Sequence, residues 1–596
     1  MNMKKMRYIS ALVAVLLSIN AVAQELKKEI TIDKDIVPEL KESNKMSITP
    51  QIPSLTVTQT PLSFIDRAKI TNDIPSAITN LEPAENVDTM ELSPYRGYAM
   101  LGYFPIYNLD LSAGYRFIDG KKAKLNAWLQ YNGKTYDGTS RNGDEMTLDD
   151  HELAVDVDYT HQFGQRSQLS ATAGYTFNAF SYPWEKGFAQ NVHRANVDGV
   201  WKSSFEGLKY NVGLGYSYFG YTDGPDVTSV PEEDKKGFNP VKEHVAYLNA
   251  GANLALGDYS RVALDFEATS LFDNKSIQQW WINGSNDYYG KGYDPYNRAV
   301  FSLTPHYDLT YKNFKAKLGV KLDFQTGDYT NKNFMLAPDV TLDWTASKYI
   351  SAYARVGGGV YENTMNSIFE ESHYFSPLMA YDQSELPLVV DAGVSFGPFV
   401  DATIELFGGY AMANDWYMPI VNVDERNYGN FNQKMRQTDI RGWHVGVAAS
   451  YSYKKWGKIK ASYIAAPQQT DKKYVETHSQ ENNTYGYFMW RDRAKHVVNA
   501  SLVVTPISSL DISLEYEYRG GRHAYERRYV DNPECYSYSR VSLGNVNNLS
   551  LGGLYRFTDQ WSFCARLENL FNHKYELLYD VPSQGLTGLV GATYKF

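Results

Sequence analysis

Cysteine is nearly absent: Cys535 and Cys564 are the only two in 596 residues. A disulfide-stapled scaffold is therefore excluded. Cys564 is expected on the polar face of a strand and Cys535 in a long loop, so the sequence leaves open whether the two pair. No segment past the N-terminal leader approaches the roughly 18 uninterrupted apolar residues of a spanning helix, which excludes a helical membrane protein. Metal-ligand spacings of His and Cys, an H-E-x-x-H run and a phosphate-binding loop are all missing. No Ser, His and carboxylate are gathered as nucleophilic catalysis requires. The expectation is a protein that is not an enzyme and carries no cofactor. His444 stands alone in an expected strand and is read as a structural hydrogen bonder. Positive charge is also short: the net charge of −10 lacks the basic face that nucleic acid demands.

What is present begins with a secretory signal. Lys4, Lys5 and Arg7 precede an apolar run from Ile9 to Ile19, and Ala21-Val22-Ala23 supplies small residues for cleavage. Residues 1–23 are expected to be removed. No cysteine follows that site, so a lipoprotein anchor is not expected. Residues 24–95 are punctuated by seven prolines (38, 50, 53, 61, 75, 83 and 94) and show no helical period. They are read as an extended periplasmic or lumenal arm.

From residue 96 to the end the pattern is two-residue alternation. Phe314, Ala316, Leu318, Val320, Leu322 and Phe324 share one face; Lys315, Lys317, Gly319, Lys321 and Asp323 share the other. Leu510–Arg519 and Leu153–Phe163 repeat the pattern. Successive strand side chains point to opposite faces, so one face meets something apolar and the other something wet. These runs are longer than soluble strands usually are and match the roughly 9 to 11 residues of a tilted membrane strand. Their connections alternate short and long. Ten short turns are expected near 120, 164, 207, 258, 313, 347, 398, 456, 508 and 560. Long links are expected at 135–148, 222–241, 273–297, 363–385, 413–438, 470–490 and 520–543. Trp416–Asp424 is strand-like but is placed inside one of those links, because an odd strand count would separate the termini. The fold class is therefore all-β, a transmembrane antiparallel barrel of about 22 strands with both termini on the periplasmic side. The 48 Tyr, 27 Phe and 11 Trp suit its strands and interface belts.

The C-terminal run Leu567-Glu568-Asn569-Leu570-Phe571-Asn572-His573-Lys574-Tyr575, followed by a last strand ending in Phe596, resembles the close of TonB-dependent receptors. The resemblance implies a barrel of this size, the outer membrane of a Gram-negative-type bacterium, and transport with TonB as partner. It also implies a relative with little or no plug, since about 70 mature residues precede the first strand. Leu55-Thr56-Val57-Thr58 is similar to the short apolar-Thr box offered to TonB. Asn569, Leu570 and Phe571 are read as strand-end and turn residues.

Two readings of the loops stay open. Trp280, Trp281, Tyr288 and Tyr289, beside Asn283, Asn286 and Asp287, make a candidate ligand platform for a sugar or large amphipathic molecule; the same residues suit an interface belt. Lumen-side charges of both signs (Lys124, Asp156, Asp158, Asp265, Glu267, Lys315, Lys317, Lys321, Asp511, Glu515 and Glu517) are read as solvated, mutually paired walls. The functional expectation is uptake of a nutrient, a metal chelate or a glycan, across the outer membrane. The alternatives are a non-transporting scaffold in an outer-membrane complex, with lipid and periplasmic proteins as partners, and a passive porin. A barrel this wide with an empty lumen would be a leak, so the arm, infolded loops or another protein is expected to fill it.

Overall fold

A computed structural model describes residues 94–104, 108–141, 143–182, 189–205, 207–222, 241–273, 297–327, 333–375, 382–399, 401–422, 433–454, 456–466, 468–470, 494–530 and 532–596. Within them, 22 antiparallel strands form a closed barrel. Closure is made by Tyr98–Tyr103 pairing with Val590–Lys595. Gly97 N–H donates to the Phe596 carbonyl at 2.8 Å, and Phe596 N–H donates back at 3.0 Å. Gly97 is small for a reason: a Cβ there would come within 2.5 Å of the Phe596 ring.

All ten short turns fall where alternation places them. Asp119 is followed by Ala123, Phe163 by Ser167, Phe205 by Leu208 and Ala255 by Ser260 at strand ends and starts. The remaining six link Tyr311 to Phe314, Ser347 to Ile350, Phe399 to Ala402, Tyr453 to Gly457, Ile507 to Leu510 and Arg556 to Trp561. Lys312 and Lys454 take the left-handed backbone that such tight turns need.

The faces segregate as expected. Leu318 and Val320 are 49% and 42% exposed on the outside, while Asp323 on the inner face of the same strand is 0% exposed. So large an exposed apolar surface has no place in water; it forms the lipid face. Inside, opposite charges pair across strands. Lys317 Nζ lies 2.7 Å from Asp339, and Asn126 Nδ2 donates to Asp158 at 2.9 Å.

Two loop expectations are corrected, and the strand-like, non-crossing reading of Trp416–Asp424 holds as far as Asn422. Residues 135–139 and 145–148 are paired strand, in Ala123–Thr139 and Glu145–Phe163. Trp416 belongs to one strand, Ala402–Asn422, which runs on past the barrel wall in register with Gln433–Tyr453; it adds no crossing. Cys535 lies in a strand, Asn532–Ser542, paired with His523–Val530, not in an irregular loop. In each case the loop-end hairpin continues its ladder beyond the span, because leaving water-exposed backbone paired costs nothing and orders the loop. Cys564 is a free thiol.

The lipid face sets a depth-dependent test. Leu318→Arg, near mid-span, is expected to destabilise the barrel by about 2–4 kcal/mol, and Phe314→Arg, next to the turn, by about 0–1 kcal/mol. Guanidinium titration of vesicle-folded protein measures both; equal costs at the two sites would place neither in a bilayer.

Candidate functional site

At the end of the barrel carrying the long links, two segments turn inward and bind to the lumenal wall. The first follows Ile350–Tyr361. That strand bends at Gly359, whose φ of +123° is a conformation side chains rarely adopt. A Cβ there would meet Asp323 Oδ2 at 2.6 Å. Asp323 instead accepts the Val360 N–H at 2.7 Å and the Ser302 hydroxyl at 2.5 Å. The chain then passes Glu362, which accepts from buried Arg298 Nε at 2.5 Å and from Gln383 Nε2 at 2.8 Å. Arg298 also donates to the Asn363 carbonyl, and Asn363 Nδ2 donates to the Asp382 carbonyl and Ser384 Oγ, at 2.6 and 2.8 Å. A buried ion pair so fully hydrogen-bonded fixes where the segment leaves the wall.

Helix α1 (Met365–Glu371) follows, with a capping box made by Thr364 and Ser367. Seven residues are too few to persist alone, so its stability comes from what it touches. Met365, Ile368 and Phe369 are buried against Phe180, Val192 and Phe219 of the inner wall. Glu243, 1% exposed on the wall, accepts the Met365 N–H with both carboxylate oxygens, at 2.8 and 3.0 Å. Arg194 reaches from the wall to Glu370 at 3.0 Å and holds Glu152 at 3.3 Å. His373 stacks on Phe369 with ring centroids 4.3 Å apart.

The second segment is the link after Trp561–Glu568. Asn569 is buried with φ +52°. Its side chain accepts the His573 N–H at 3.0 Å and donates to the His573 carbonyl at 2.9 Å. Asn572, with φ +47°, accepts the Leu586 N–H at 2.9 Å. Asparagine tolerates that backbone and hydrogen-bonds locally, so the strand-end and turn reading of this run holds. The ladder Glu576–Leu578 with Val581–Pro582 then turns inward. Val581 packs with Tyr136, Met146 and Leu148 of the wall, and Tyr136 O–H donates to the Pro582 carbonyl at 2.9 Å. Arg141 binds Glu576 and, through its N–H, Asp580 at 2.7 Å. Arg522 donates to the Glu576 and Leu577 carbonyls, both at 2.7 Å. Tyr374 packs against both buried clusters and so joins the two segments.

A groove of about 480 Å³ is lined by Glu405, Lys460, Glu515, Glu517, Arg519 and Arg566 together with Ala448, Ala449, Ala461 and Ala500. His306 sits between Asp308 and Asp265 at 2.9 and 3.1 Å, and His444 lies 3.3 Å from Asp391, a structural pairing. Among the described residues no cluster of His, Cys, Asp and Glu is arranged to hold a metal ion. Trp280, Trp281, Tyr288 and Tyr289 lie outside the described residues, as do Leu55, Thr56, Val57 and Thr58. The inward segments were missed in sequence because 363–385 and 569–586 lack strand periodicity. The available signal was a run of apolar residues inside a link, Met365, Ile368, Phe369 and Phe375, at helical spacing.

A closed antiparallel barrel of 22 strands with an apolar outside and a charged inside defines a membrane-spanning β-barrel. The chain shares its fold with the ferric enterobactin receptor PfeA of Pseudomonas aeruginosa (a mutant; 11% identity, 84% of this chain and 80% of that one covered, TM-score 0.60). Its fold is likewise similar to that of the siderophore receptor PirA of Acinetobacter baumannii (10%, 84% and 80%, TM-score 0.61) and of the FrpB iron transporter of Neisseria meningitidis (10%, 84% and 81%, TM-score 0.61). No protein-family profile matches the chain, and no curated protein matches its sequence.

Two outcomes follow for the α1 latch. Glu243→Ala strands the buried Met365 N–H and is expected to loosen the segment by about 1–3 kcal/mol, seen as faster hydrogen exchange at Met365–Ser372 with wall strands unchanged. The pH dependence has a defined sign. Burial lowers the His373 pKa from its ordinary 6.5; Asp150 and Glu152 oppose this, while Arg194 and Lys134 reinforce it. Docking therefore favours the neutral ring, so its contribution is complete above about pH 6.5 and is lost as pH falls toward the lowered value. Protection factors of the segment, corrected for intrinsic exchange, are expected to drop on acidification, and His373→Gln to flatten that drop.

Proposed function

We propose that this barrel takes up a nutrient across the outer membrane, and that the nutrient is a metal chelate. The observation that carries the reading is the shared barrel architecture with receptors named for ferric enterobactin and siderophores and with an iron transporter. The lumen supports it: two segments cover part of the loop-end wall, and a groove carrying charged residues runs along another part of the wall, as a selective path needs and an open pore does not. In this reading the aromatic platform of Trp280, Trp281, Tyr288 and Tyr289 meets the ligand from outside. Leu55–Thr58 offers an edge to TonB, because moving a bulky ligand past a bound constriction requires an energised partner. Residues 1–23 direct export, and 24–95 carry the coupling.

The test is uptake of a radiolabelled ferric chelate by cells relying on this protein. Deleting residues 25–65 is expected to abolish uptake while heat-modifiable barrel still accumulates in the outer membrane. Continued uptake after the deletion overturns coupling through this segment. Absence of chelate uptake together with a stoichiometric co-purifying partner favours the scaffold, and large steady single-channel currents favour the porin.

A further inference from the structure

Histidine is scarce, with 11 residues in the chain, yet four of them repeat one arrangement on the outer face. Tyr131 O–H lies 3.0 Å from His151 Nδ1, Tyr175 2.7 Å from His193 Nδ1, Tyr216 2.6 Å from His244 Nδ1, and Tyr463 2.9 Å from His496 Nδ1. The register is the same in all four. Each histidine lies opposite a residue on the neighbouring strand (Gly133, Phe177, Tyr218 and Ala465), and its tyrosine stands two places before that residue. The two strands of every pair are joined at the end of the barrel opposite the short turns, so each tyrosine sits deeper in the bilayer and each histidine nearer its edge.

The pairs also share a height. Tyr131, Tyr175 and Tyr216 occupy the same position in strands that begin at Ala123, Ser167 and Leu208. His151 and His193 do so in strands that end at Phe163 and Phe205, as do His244 and His496 in strands that end at Ala255 and Ile507. At about 3.3 Å per residue and a tilt near 40°, this places the row roughly 20–30 Å above the short-turn end, the top of an apolar band about 25 Å tall. The outer-face chemistry changes at that level. Below the row come Leu153, Val155 and Val157 on one strand, Ala195 and Val197 on the next, and Ala246 and Leu248 on the third; above it come Asp149 and Thr147, Asn191, and Lys242. Val197 is exposed, as are Tyr175, Tyr216 and Tyr463, so this is the lipid-facing side.

We propose that the four Tyr–His pairs form a headgroup-binding row for phosphate-bearing lipids of the surrounding leaflet. We assign the tyrosine O–H as the donor to Nδ1 in each pair, which puts the ring proton on Nε2. Nε2 then offers one fixed N–H donor at the depth where lipid phosphates lie. His193 differs in part: its Nε2 meets Thr222 Oγ1 at 2.9 Å, so His151, His244 and His496 carry most of the binding. An interface belt of aromatic rings alone holds depth without choosing a headgroup; a row of oriented donors chooses.

The experiment compares the full chain with a variant carrying H151F, H193F, H244F and H496F, each in nanodiscs of phosphatidylcholine containing a minor share of phosphatidic acid. Native mass spectrometry then counts the lipids retained. Phenylalanine suits the apolar rim, and heat-modifiable migration confirms folding; single H151F and H496F variants carry the same comparison should the quadruple variant fail that check. The wild type is expected to retain phosphatidic acid severalfold over its share of the bilayer, and the variant to retain it at that share. Imidazole 15N shifts are expected to show the Nε2–H tautomer in the wild type and a mixture after Y131F, Y216F and Y463F. Equal retention by wild type and variant, or no enrichment in the wild type, overturns the proposal.

Discussion

The structure depends on one constraint: in hydrocarbon, every backbone N–H and C=O must find its partner within the protein. An open sheet leaves two unsatisfied edges, and the pairing of Tyr98–Tyr103 with Val590–Lys595 removes both. Because the last strand closes on the first, the two ends of the described chain meet at the short-turn end, and every link at that end can be tight. The ladders do not need to stop at the membrane, and several continue beyond it, as Ala402–Asn422 does with Gln433–Tyr453. Closure in turn fixes which face each residue takes, since a one-place slip would send Lys315, Lys317 and Lys321 into lipid.

Closure creates a second problem, an interior too wide to be filled by wall side chains. Two inward segments meet part of it. They use the chemistry a lumen permits: the wall supplies buried charges, Glu243 for the start of α1 and Arg298 for Glu362, and it supplies patches of buried rings around Phe180, Phe219 and Tyr136. Both segments are thus held by groups that point inward from strands whose outward neighbours face lipid. The lumenal wall is asymmetric as a result, with α1 over one arc at the loop end and the groove of Glu405, Glu515 and Arg566 on another arc, nearer the short-turn ends of its strands.

The barrel was legible because its signal is periodic. Phe314–Phe324 shows the two faces without any neighbour to consult, and turns such as Asp119-Gly120-Lys121-Lys122 are marked by their residues. The Asn569 turn was legible through its motif, and its physical reason, a left-handed backbone, appears only in the structure. What was not legible is whatever depends on pairing between distant strands. Nothing near Glu243 announces that it receives the N-terminus of a helix more than a hundred residues on, and nothing near His244 or Tyr216 announces their diagonal contact. The long hairpins were shortened for the same reason: Tyr136 and Asp137 look like loop until their partners Leu148 and Thr147 are known.

The account rests on a lipid-facing outside and a water-filled inside, and nitroxide labels placed one at a time along Phe314–Thr326 in vesicles measure both. Accessibility to oxygen is expected to peak at 314, 316, 318, 320, 322 and 324, and accessibility to a water-soluble nickel chelate at 315, 317, 319 and 321, the two out of phase along these positions. Nickel access at both sets, or loss of the alternation, would contradict a membrane-spanning barrel.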